Sequence, residues 1–181
     1  MRARKQFDSL AMPHLLPVYR LARQLAGAQK AEDLVQETFL HAWSHFDQFD
    51  PGTNCRAWLF RILHNVWVSQ WRKTRLELPV ADVDERLTEP YYEWEGDFVR
   101  DEISEDMRWA LAQLPHQYRW AVLLADVEEL TYQEIAATMD CPIGTVMSRI
   151  NRGRRMLERL LLDRRNGRLL LPDVLSGRQR R

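Results

Sequence analysis

Residues 131–157 carry the pattern that most restricts how this chain folds. Thr131-Tyr132-Gln133-Glu134 has the S/T-x-x-E form of a capping box, in which side chains and backbone N–H groups exchange hydrogen bonds at a helix start. Pro142 suits the first position of another helix. The segment therefore predicts two helices joined by a turn of about four residues. In the second helix, four residues recur at the spacing of one buried face: Val146, Ile150, Gly153 and Leu157.

The second helix of this pair is rich in arginine on the sides that its apolar stripe leaves open. A short turn followed by a basic helix is typical of a helix-turn-helix, whose second helix enters the major groove of DNA. The alternative is a solvated basic helix stabilised by its own C-terminal dipole. The capped helix upstream favours DNA binding. We expect Thr145, Ser148, Arg149 and Arg152 to face bases, and Arg155 and Arg159 to face phosphates.

The formal net charge of zero conceals a strong segregation of charge along the chain. Residues 1–76 have a balance of +5, residues 77–106 of −10, residues 107–142 of −3 and residues 143–181 of +8. Of the 26 basic residues 23 are arginine, which suits bidentate contacts to phosphate and guanine. Two basic ends around an acidic middle indicate a nucleic-acid partner, which the net charge alone would not.

Helical periodicity dominates the rest of the chain, and strand signals are few. Helices are predicted from about residue 13 or 14 to residue 25, from 30 to 45 and from 55 to 73. Most of the acid, with Pro79 and Pro90, lies in one stretch whose composition is that of a disordered spacer. We therefore predict an all-α protein with two small helical domains, over residues 1–76 and 107–165, an acidic linker over 77–106 and a basic tail over 166–181.

Several other classes of protein are disfavoured. Cys55 and Cys141 form no CxxC or zinc-finger spacing, so we expect a reduced, cytoplasmic protein without disulfides or structural zinc. No apolar run approaches the roughly 20 residues of a membrane span, and we expect no membrane insertion. His41 and His45 are four residues apart, but no third ligand completes a metal site. Without a P-loop, HExxH or nucleophile elbow, we predict no catalytic activity and no cofactor.

The stretch "CRAWLFRILHNVWVSQWRK", residues 55–73, mixes aromatic with basic side chains. Single-stranded DNA is held by such a combination, because base–aromatic stacking gives about 1–3 kcal/mol per base and cations follow the backbone. We place Trp58, Leu59 and Ile62 in the core. Trp67 and Trp71 share one helical face, and the pattern leaves open whether that face is buried or exposed.

Two stretches of the chain resemble one family. Residues 114–161, from "LPHQYRW" through "YQEIAATMDCPIGTVMSRI" to "ERLL", are closely similar to the −35-reading domain of the extracytoplasmic-function (ECF) sigma factors of bacterial RNA polymerase, group 4 of the sigma-70 family. "AEDLVQETFLHAW", residues 31–43, is similar to the family's helix that docks on the clamp helices of the polymerase β′ subunit. In all, the resemblance covers residues from about 20 to 76 and from 107 to 162.

The resemblance implies a role for particular residues at three surfaces. Core polymerase would be bound by Asp33, Gln36, Glu37 and Trp43. The unpaired −10 element would meet Arg61, Trp67, Trp71, Arg72 and Lys73, with Phe49 and Asn65 bordering the pocket for a flipped base. The −35 element would be read by Tyr132, Thr145, Met147, Ser148, Arg149, Asn151, Arg152 and Arg155.

The family also implies partners and a mode of control. The chain is expected to direct core polymerase to specific promoters, in a stress or envelope response, with an anti-sigma factor holding it in check. Its motifs look most like the subgroup of oxidative-stress sigma factors, several of which are held by zinc-binding anti-sigma proteins. In sigma factors the segment equivalent to residues 77–106 runs towards the RNA path, where an acidic peptide would mimic nucleic acid.

Two rival interpretations remain at this point. A stand-alone helix-turn-helix regulator, binding duplex DNA without polymerase, accounts for the C-terminal half and leaves residues 31–73 unexplained. A decoy that sequesters an anti-sigma factor would bind that factor and not core polymerase.

Overall fold

A computed structural model of the protein describes the backbone of residues 2–77 and 103–166, and the side chains of residues 3–70 and 103–166. These residues are helical and include no strand, which confirms the predicted all-α class. Most of the predicted linker over 77–106, and the tail over 166–181 beyond Asn166, lie outside the described residues. The helices of the described ranges are α1 Arg2–Ala11, α2 Leu15–Ala26, α3 Ala28–Ser44, α4 Cys55–Glu77, α5 Glu105–Ala112, α6 His116–Val122, α7 Tyr132–Met139 and α8 Ile143–Arg165.

Helices α1 to α4 form the first unit, and its N-terminal end differs from the sequence-based expectation. The helix predicted from residue 13 or 14 to residue 25 corresponds to α2, and a further helix, α1, precedes it across a 3-10 turn over Met12–His14. Pro17 lies in the first turn of α2, where its missing N–H costs no hydrogen bond. Gly27 ends α2 with φ 76°, a conformation that glycine adopts without steric cost.

Helix α1 was not predicted, and it is held to α3 by one aromatic side chain. Phe7 is buried, and its ring centroid lies 5.2 Å from that of Trp43 and 5.1 Å from that of Phe46. Both contacts are edge-to-face, the geometry that aromatic quadrupoles favour. Helix α1 therefore lies against the C-terminal end of α3 and the turn that follows it.

Helices α5 to α8 form the second unit, and its helix-turn-helix is present. In the capping box the Thr131 N–H donates to Glu134 Oε2 at 2.8 Å, and the Glu134 N–H donates to Thr131 Oγ1 at 3.3 Å. Asp140 ends α7 in the left-handed conformation, with φ 48°. Pro142 was predicted at the first helical position, but it is the N-cap and α8 begins at Ile143.

Alpha8 packs closely on α6 through the predicted apolar stripe of Val146, Ile150, Gly153 and Leu157, all buried. Gly153 is needed for this approach. A Cβ added there would lie 2.6 Å from Val122 Cγ2 and 3.2 Å from the carbonyl oxygen of Tyr118. The absence of a side chain lets the two helix backbones approach at this point.

After α6 the helix widens into a π-turn over Leu123–Val127, which the sequence pattern did not predict. The N–H of Glu128 donates to the Leu123 carbonyl at 3.0 Å, five residues back. Such wide turns are rare and are frequently found at functional sites. Here the turn leaves Glu128 buried, with its side chain towards the first unit.

Candidate functional site

One side of α3 presents acidic and apolar side chains together. Asp33 and Gln36 are exposed, as predicted for a docking surface. Trp43 is 45% exposed although Phe7 covers one of its edges. Leu40, which the sequence analysis did not single out, is 61% exposed on the same side. The helical periodicity of the sequence indicates this exposure, because Leu40 falls out of phase with the buried stripe that includes Leu34.

Glu37 is placed differently from the rest of this predicted set. Its Oε2 accepts a 2.6 Å hydrogen bond from Gln70 Nε2 of α4, and its Oε1 lies 3.8 Å from His41 Nε2. Glu37 is therefore half-buried between α3 and α4, whereas Asp33 is exposed. The two carboxylates are not equivalent in their access to a partner.

The outer side of α8 is basic and exposed. Most of the residues predicted to meet DNA lie there or at the start of α7, and the exposed ones are Tyr132, Met147, Ser148, Asn151, Arg152 and Arg155. Tyr132, Met147, Asn151 and Arg155 line one shallow groove between α7 and α8. Thr145 is half-buried at the N-terminal end of α8. This surface fits a polyanion, since arginine combines charge with a planar donor fork.

Arg154, in contrast, pairs with a carboxylate of its own unit. Its Nε donates to Asp126 Oδ2 at 3.1 Å, and its second nitrogen donates to Asp126 Oδ1. This hydrogen bond raises the pKa of Arg154. The bidentate pair fastens α8 to the π-turn, so Arg154 acts as a structural residue.

Arg149 faces the first unit rather than open solvent. It is half-buried, and its guanidinium donates to Cys141 Sγ at 3.6 Å. It is also close enough to His64 of α4 to lower the pKa of that imidazole, after burial, the larger cause. The surface through which the two units contact each other is called the seam below. A residue predicted to read bases thus lies at this seam.

The predicted −10 residues are divided between exposed and buried positions. Arg61 and Asn65 are exposed on α4. Phe49 is buried, with its ring centroid 4.9 Å from that of Trp58. The structure does not describe the side chains of Trp71, Arg72 and Lys73. In this arrangement a base would reach Asn65 directly, and would reach Phe49 only after a local rearrangement.

The two units meet through the N-termini of α4 and α7. Asn54 Oδ1 accepts from the N–H of Arg56 at 3.0 Å, which caps α4. Its Nδ2 donates to Glu134 Oε1 at 2.6 Å, while the other oxygen of Glu134 belongs to the capping box of α7. Burial raises the pKa of Glu134, but hydrogen bonds from Asn54 and Thr131 outweigh it and lower the pKa overall. One amide and one carboxylate therefore cap two helices and join them.

A second contact between the units involves a buried carboxylate. Arg56 donates to the backbone oxygen of Glu128 at 2.7 Å, and its NH1 lies 3.6 Å from Glu128 Oε2. Burial raises the pKa of Glu128, and the nearby Arg56 and Arg20 oppose that shift. A charge buried with one close partner costs several kcal/mol if that partner withdraws.

A third contact is a stack of aromatic and imidazole rings. His64 Nε2 and His116 Nε2 lie 3.0 Å apart across the seam. Trp67 stacks on His116 with centroids 4.1 Å apart, and Trp120 stacks on His64 at 5.1 Å. Trp67, whose face the sequence left undecided, is therefore buried by the second unit.

Several residues of the seam were not predicted to have any role, among them Asn54, His64, His116 and Glu128. Asn54, Arg56, His64, His116 and Glu128 all pair with residues more than 50 positions away. Local periodicity contains no information on such pairs. Only the presence of polar residues on the otherwise apolar side of α4 hinted at a second partner surface.

Neither a metal site nor a membrane span emerges from the described part of the chain. No group of three or more His, Cys, Asp or Glu side chains there is placed to hold a metal ion. His41 and His45 are exposed, with ring centroids 6.1 Å apart. Among the described helices none is long and apolar enough to cross a membrane.

Comparison with protein families identifies both units. Residues 10–77 match the family described as Sigma-70 region 2, and residues 104–157 match the family described as Sigma-70, region 4. Each match includes the surfaces described above, with α3 and α4 in the first and the helix-turn-helix in the second.

Comparison with individual proteins also finds sigma factors. The ECF RNA polymerase sigma factor EcfG of Rhodopseudomonas palustris is 41% identical over 141 residues, which cover 77% of this chain and 76% of EcfG. SigW of Bacillus subtilis, also an ECF RNA polymerase sigma factor, is 31% identical over 156 residues, covering 81% and 83% of the two chains. Among solved structures, the sigma factor RpoE of Bartonella quintana, in complex with the anti-sigma factor NepR, matches with a TM-score of 0.73 and 35% identity. That match covers 87% of this chain and 98% of RpoE.

Proposed function

The chain belongs to the ECF sigma factors of bacterial RNA polymerase, and on that premise we propose how its surfaces divide the work of promoter recognition. The exposed side of α3 binds the clamp helices of the β′ subunit, with Asp33 and Gln36 as polar contacts and Leu40 and Trp43 as apolar ones. An anchor of exposed aromatic and aliphatic residues beside charged ones is what a protein interface needs.

The second unit reads the −35 duplex through α8. Ser148, Arg149 and Arg152 contact base edges, where each good bidentate pair gives about 1–3 kcal/mol of discrimination. Arg155 contacts phosphate and adds affinity whatever the sequence. The first unit captures unpaired −10 bases on α4 through Arg61 and Asn65, with Phe49 and Trp67 as stacking surfaces.

The seam between the units must open for both elements to be read at once. Promoter elements centred about 25 base pairs apart are separated by roughly 85 Å of duplex at 3.4 Å per pair. Residues 78–104 join α4 to α5, and 27 residues reach at most about 90 Å when fully extended. Asn54 of the first unit and Glu134 of the second are hydrogen-bonded at 2.6 Å, so in this arrangement the two units are too close together to contact both promoter elements.

We assign the closed arrangement to the free protein and the open one to the polymerase complex. The α3 surface is exposed in the closed arrangement, whereas Trp67 and Arg149 lie at the seam. Docking through α3 therefore comes first, and separation of the units follows. The chain acts as a dissociable initiation subunit with no catalytic activity of its own, in the cytoplasm where the polymerase is.

Control by an anti-sigma factor is part of this proposal. The similar RpoE of Bartonella quintana is bound by the anti-sigma factor NepR. We infer a partner of that kind, which would hold the closed arrangement and cover the α3 surface. Its release would precede core binding.

One observation supports this function over a stand-alone regulator: a single chain exposes an acidic and apolar surface on α3 and a basic surface on α8. A regulator that binds DNA without polymerase needs only the basic surface on α8. The test is transcription by purified core polymerase with this protein, on templates selected from a library with randomised −35 and −10 elements. Run-off products from selected templates, absent without the protein, are expected. Tight and specific duplex binding by the free protein, with no binding to core, would support the regulator instead.

A further inference from the structure

The His64–His116 pair is the feature of the seam that the proposed function does not use. The two Nε2 atoms are 3.0 Å apart, so one imidazole donates a proton and the other accepts it with a lone pair. Such a contact exists only while the accepting ring is neutral. Each histidine belongs to a different unit, His64 to α4 and His116 to α6.

We propose that this pair is an acid-sensitive latch between the two units, which holds the closed arrangement while both imidazoles are neutral and releases it when they take up protons. The inference depends on the proposed function only in supposing that the two units separate. It adds that proton concentration sets how readily they do so.

The surroundings of the pair disfavour positive charge. Trp67 and Trp120 stack on the two rings and exclude water from them. The charged groups that act on the pair are cations, Arg149 of α8 on both rings and Arg119 of α6 on His116. Arg149 is fixed there by its hydrogen bond to Cys141. A proton gained on His116 would therefore face two arginines, and one gained on His64 would face Arg149, each beside the apolar wall of the two tryptophans.

The pKa directions agree with this geometry. Burial, then the neighbouring His64, Arg119 and Arg149, lower the pKa of His116 to about 2. Burial is also the main cause that lowers the pKa of His64; a hydrogen bond with Asn65 opposes it and Arg149 adds to it. In the open arrangement both rings would regain ordinary values near 6.5.

The direction of the pH effect follows from these shifts. A group whose pKa is lower in the closed state favours closure while it is neutral, and this contribution is lost as pH falls through the open-state value of about 6.5. A histidine whose pKa lies far below 5.5 in the closed state, as that of His116 does, changes the closed-to-open ratio by about tenfold between pH 7.5 and 5.5, and His64 adds a change in the same direction.

Three other titrating groups lie near the same seam. Burial raises the pKa of Glu134, but hydrogen bonds from Asn54 and Thr131 outweigh it, so its contribution to closure is lost only at more acidic pH than that of the histidines. Burial, then Arg56, lower the pKa of His14, which acts in the same direction as the pair if opening exposes it. Burial raises the pKa of Glu128, which acts in the opposite direction, because a protonated carboxyl tolerates the closed state better. His14→Gln and Glu128→Gln variants separate these contributions from that of the pair.

Single-molecule energy transfer on the full chain tests the latch. Dyes are attached to azide-bearing residues that replace Gln48 of the first unit and Glu105 of the second, both exposed. Closed and open molecules are counted from pH 7.5 to 5.5 at fixed ionic strength. The count is repeated in the Asn54→Asp variant, which replaces the hydrogen bond to Glu134 by a repulsion between carboxylates. This change raises the number of open molecules, so that the closed-to-open ratio can be measured at every pH.

The expected result is a shift towards open molecules at low pH, of about tenfold or more in ratio, with helical circular dichroism unchanged. His116→Gln should remove the larger part of the shift and leave the part due to His64, and His64→Gln/His116→Gln should reduce it to less than about twofold. His45→Gln is the matched control, because His45 is exposed and makes no contact across the seam; it should keep the full response.

The latch is overturned if the ratio does not change with pH in either background, or if the double variant responds as strongly as the wild type. Loss of helical signal together with energy transfer also overturns it, since that is unfolding. Ring-proton NMR of the unlabelled protein gives an independent readout should the double variant stay open throughout. His64 and His116 must then titrate in step with opening, and ordinary titration near pH 6.5 in molecules that remain closed refutes the proposal.

Discussion

Helices α3 and α8 are built on the same plan and carry opposite charge. Each buries one apolar stripe in its own unit and leaves a polar side open. The open side of α3 is acidic with exposed Leu40 and Trp43, and that of α8 is basic. An acidic and apolar surface suits a protein partner, and an arginine-rich one suits DNA. The difference in charge thus separates the two partners of one chain.

Helix α4 differs from both, because a second unit covers part of its outer side. Trp67 is buried against His116, and Asn54 and Arg56 at its start are bonded to the second unit. In the closed protein the proposed docking surface on α3 is exposed, whereas the proposed −10 surface on α4 is exposed at Arg61 and Asn65 and covered at Trp67. Under the proposed function, docking through α3 would precede full access to the −10 surface on α4.

The largest effect is expected from reversing the charge on α3. Asp33→Lys should weaken core polymerase binding by at least about 30-fold, because loss of one partner from a desolvated charge pair costs 2 kcal/mol or more. Fluorescence anisotropy of labelled protein with purified core polymerase measures the change. Asp47→Lys is the control, since Asp47 is exposed outside α3 and carries the same change in charge. Equal losses in the two variants would remove α3 as the docking surface.

A stability difference is expected at the close approach of α6 and α8. Gly153→Ala places a Cβ against Val122 and should lower the free energy of unfolding by about 1–3 kcal/mol. Gly144→Ala, with nothing within 4 Å of the added Cβ, should be neutral or stabilising by about 0.5–1 kcal/mol. Urea denaturation followed by circular dichroism compares them. Similar midpoints for both variants would contradict the packing of the second unit.

A change in sequence preference is expected on α8. In reconstituted holoenzyme, Arg149→Ala should reduce discrimination between matched and scrambled −35 elements by about tenfold, the value of one base contact. Arg159→Ala should weaken binding to both equally and reduce the salt slope by about 1. Arg159 is the matched control, because it is exposed on the same helix beyond the base-reading positions. Equal loss of discrimination in both variants would contradict the division between base and phosphate contacts.

The smallest effect is expected at the joined helix caps. Asn54→Asp keeps an oxygen to cap α4 but places a second carboxylate against Glu134, so it should raise the open fraction several-fold. Asn54→Ser, which caps and does not add charge, should have less effect. Energy transfer between labels at positions 48 and 105 follows the change. An unchanged open fraction in Asn54→Asp would mean that this contact does not hold the units together.

Much of the fold was predictable from local sequence, and the seam was not. The Thr131–Glu134 capping box and the stripe from Val146 to Leu157 specify the helix-turn-helix by short-range rules. The exposed Asp33 likewise lies where the acidic helix predicts it. The state of Trp67 depends on a histidine 49 positions away, and Glu37 is held by Gln70 on another helix. Such contacts depend on how helices are arranged, which periodicity within one helix does not specify.

The measurement that tests the central claim most directly is the distance between the two units before and after core polymerase binds. With labels at positions 48 and 105, the free protein at pH 7.5 should show high energy transfer, and saturating core polymerase should abolish it. At a core concentration only a few times the wild-type Kd, the Asp33→Lys variant should keep mostly high transfer, because it binds core at least about 30-fold more weakly. Equal transfer in free and core-bound wild-type protein would contradict the account, since the units would then not separate when the polymerase is engaged.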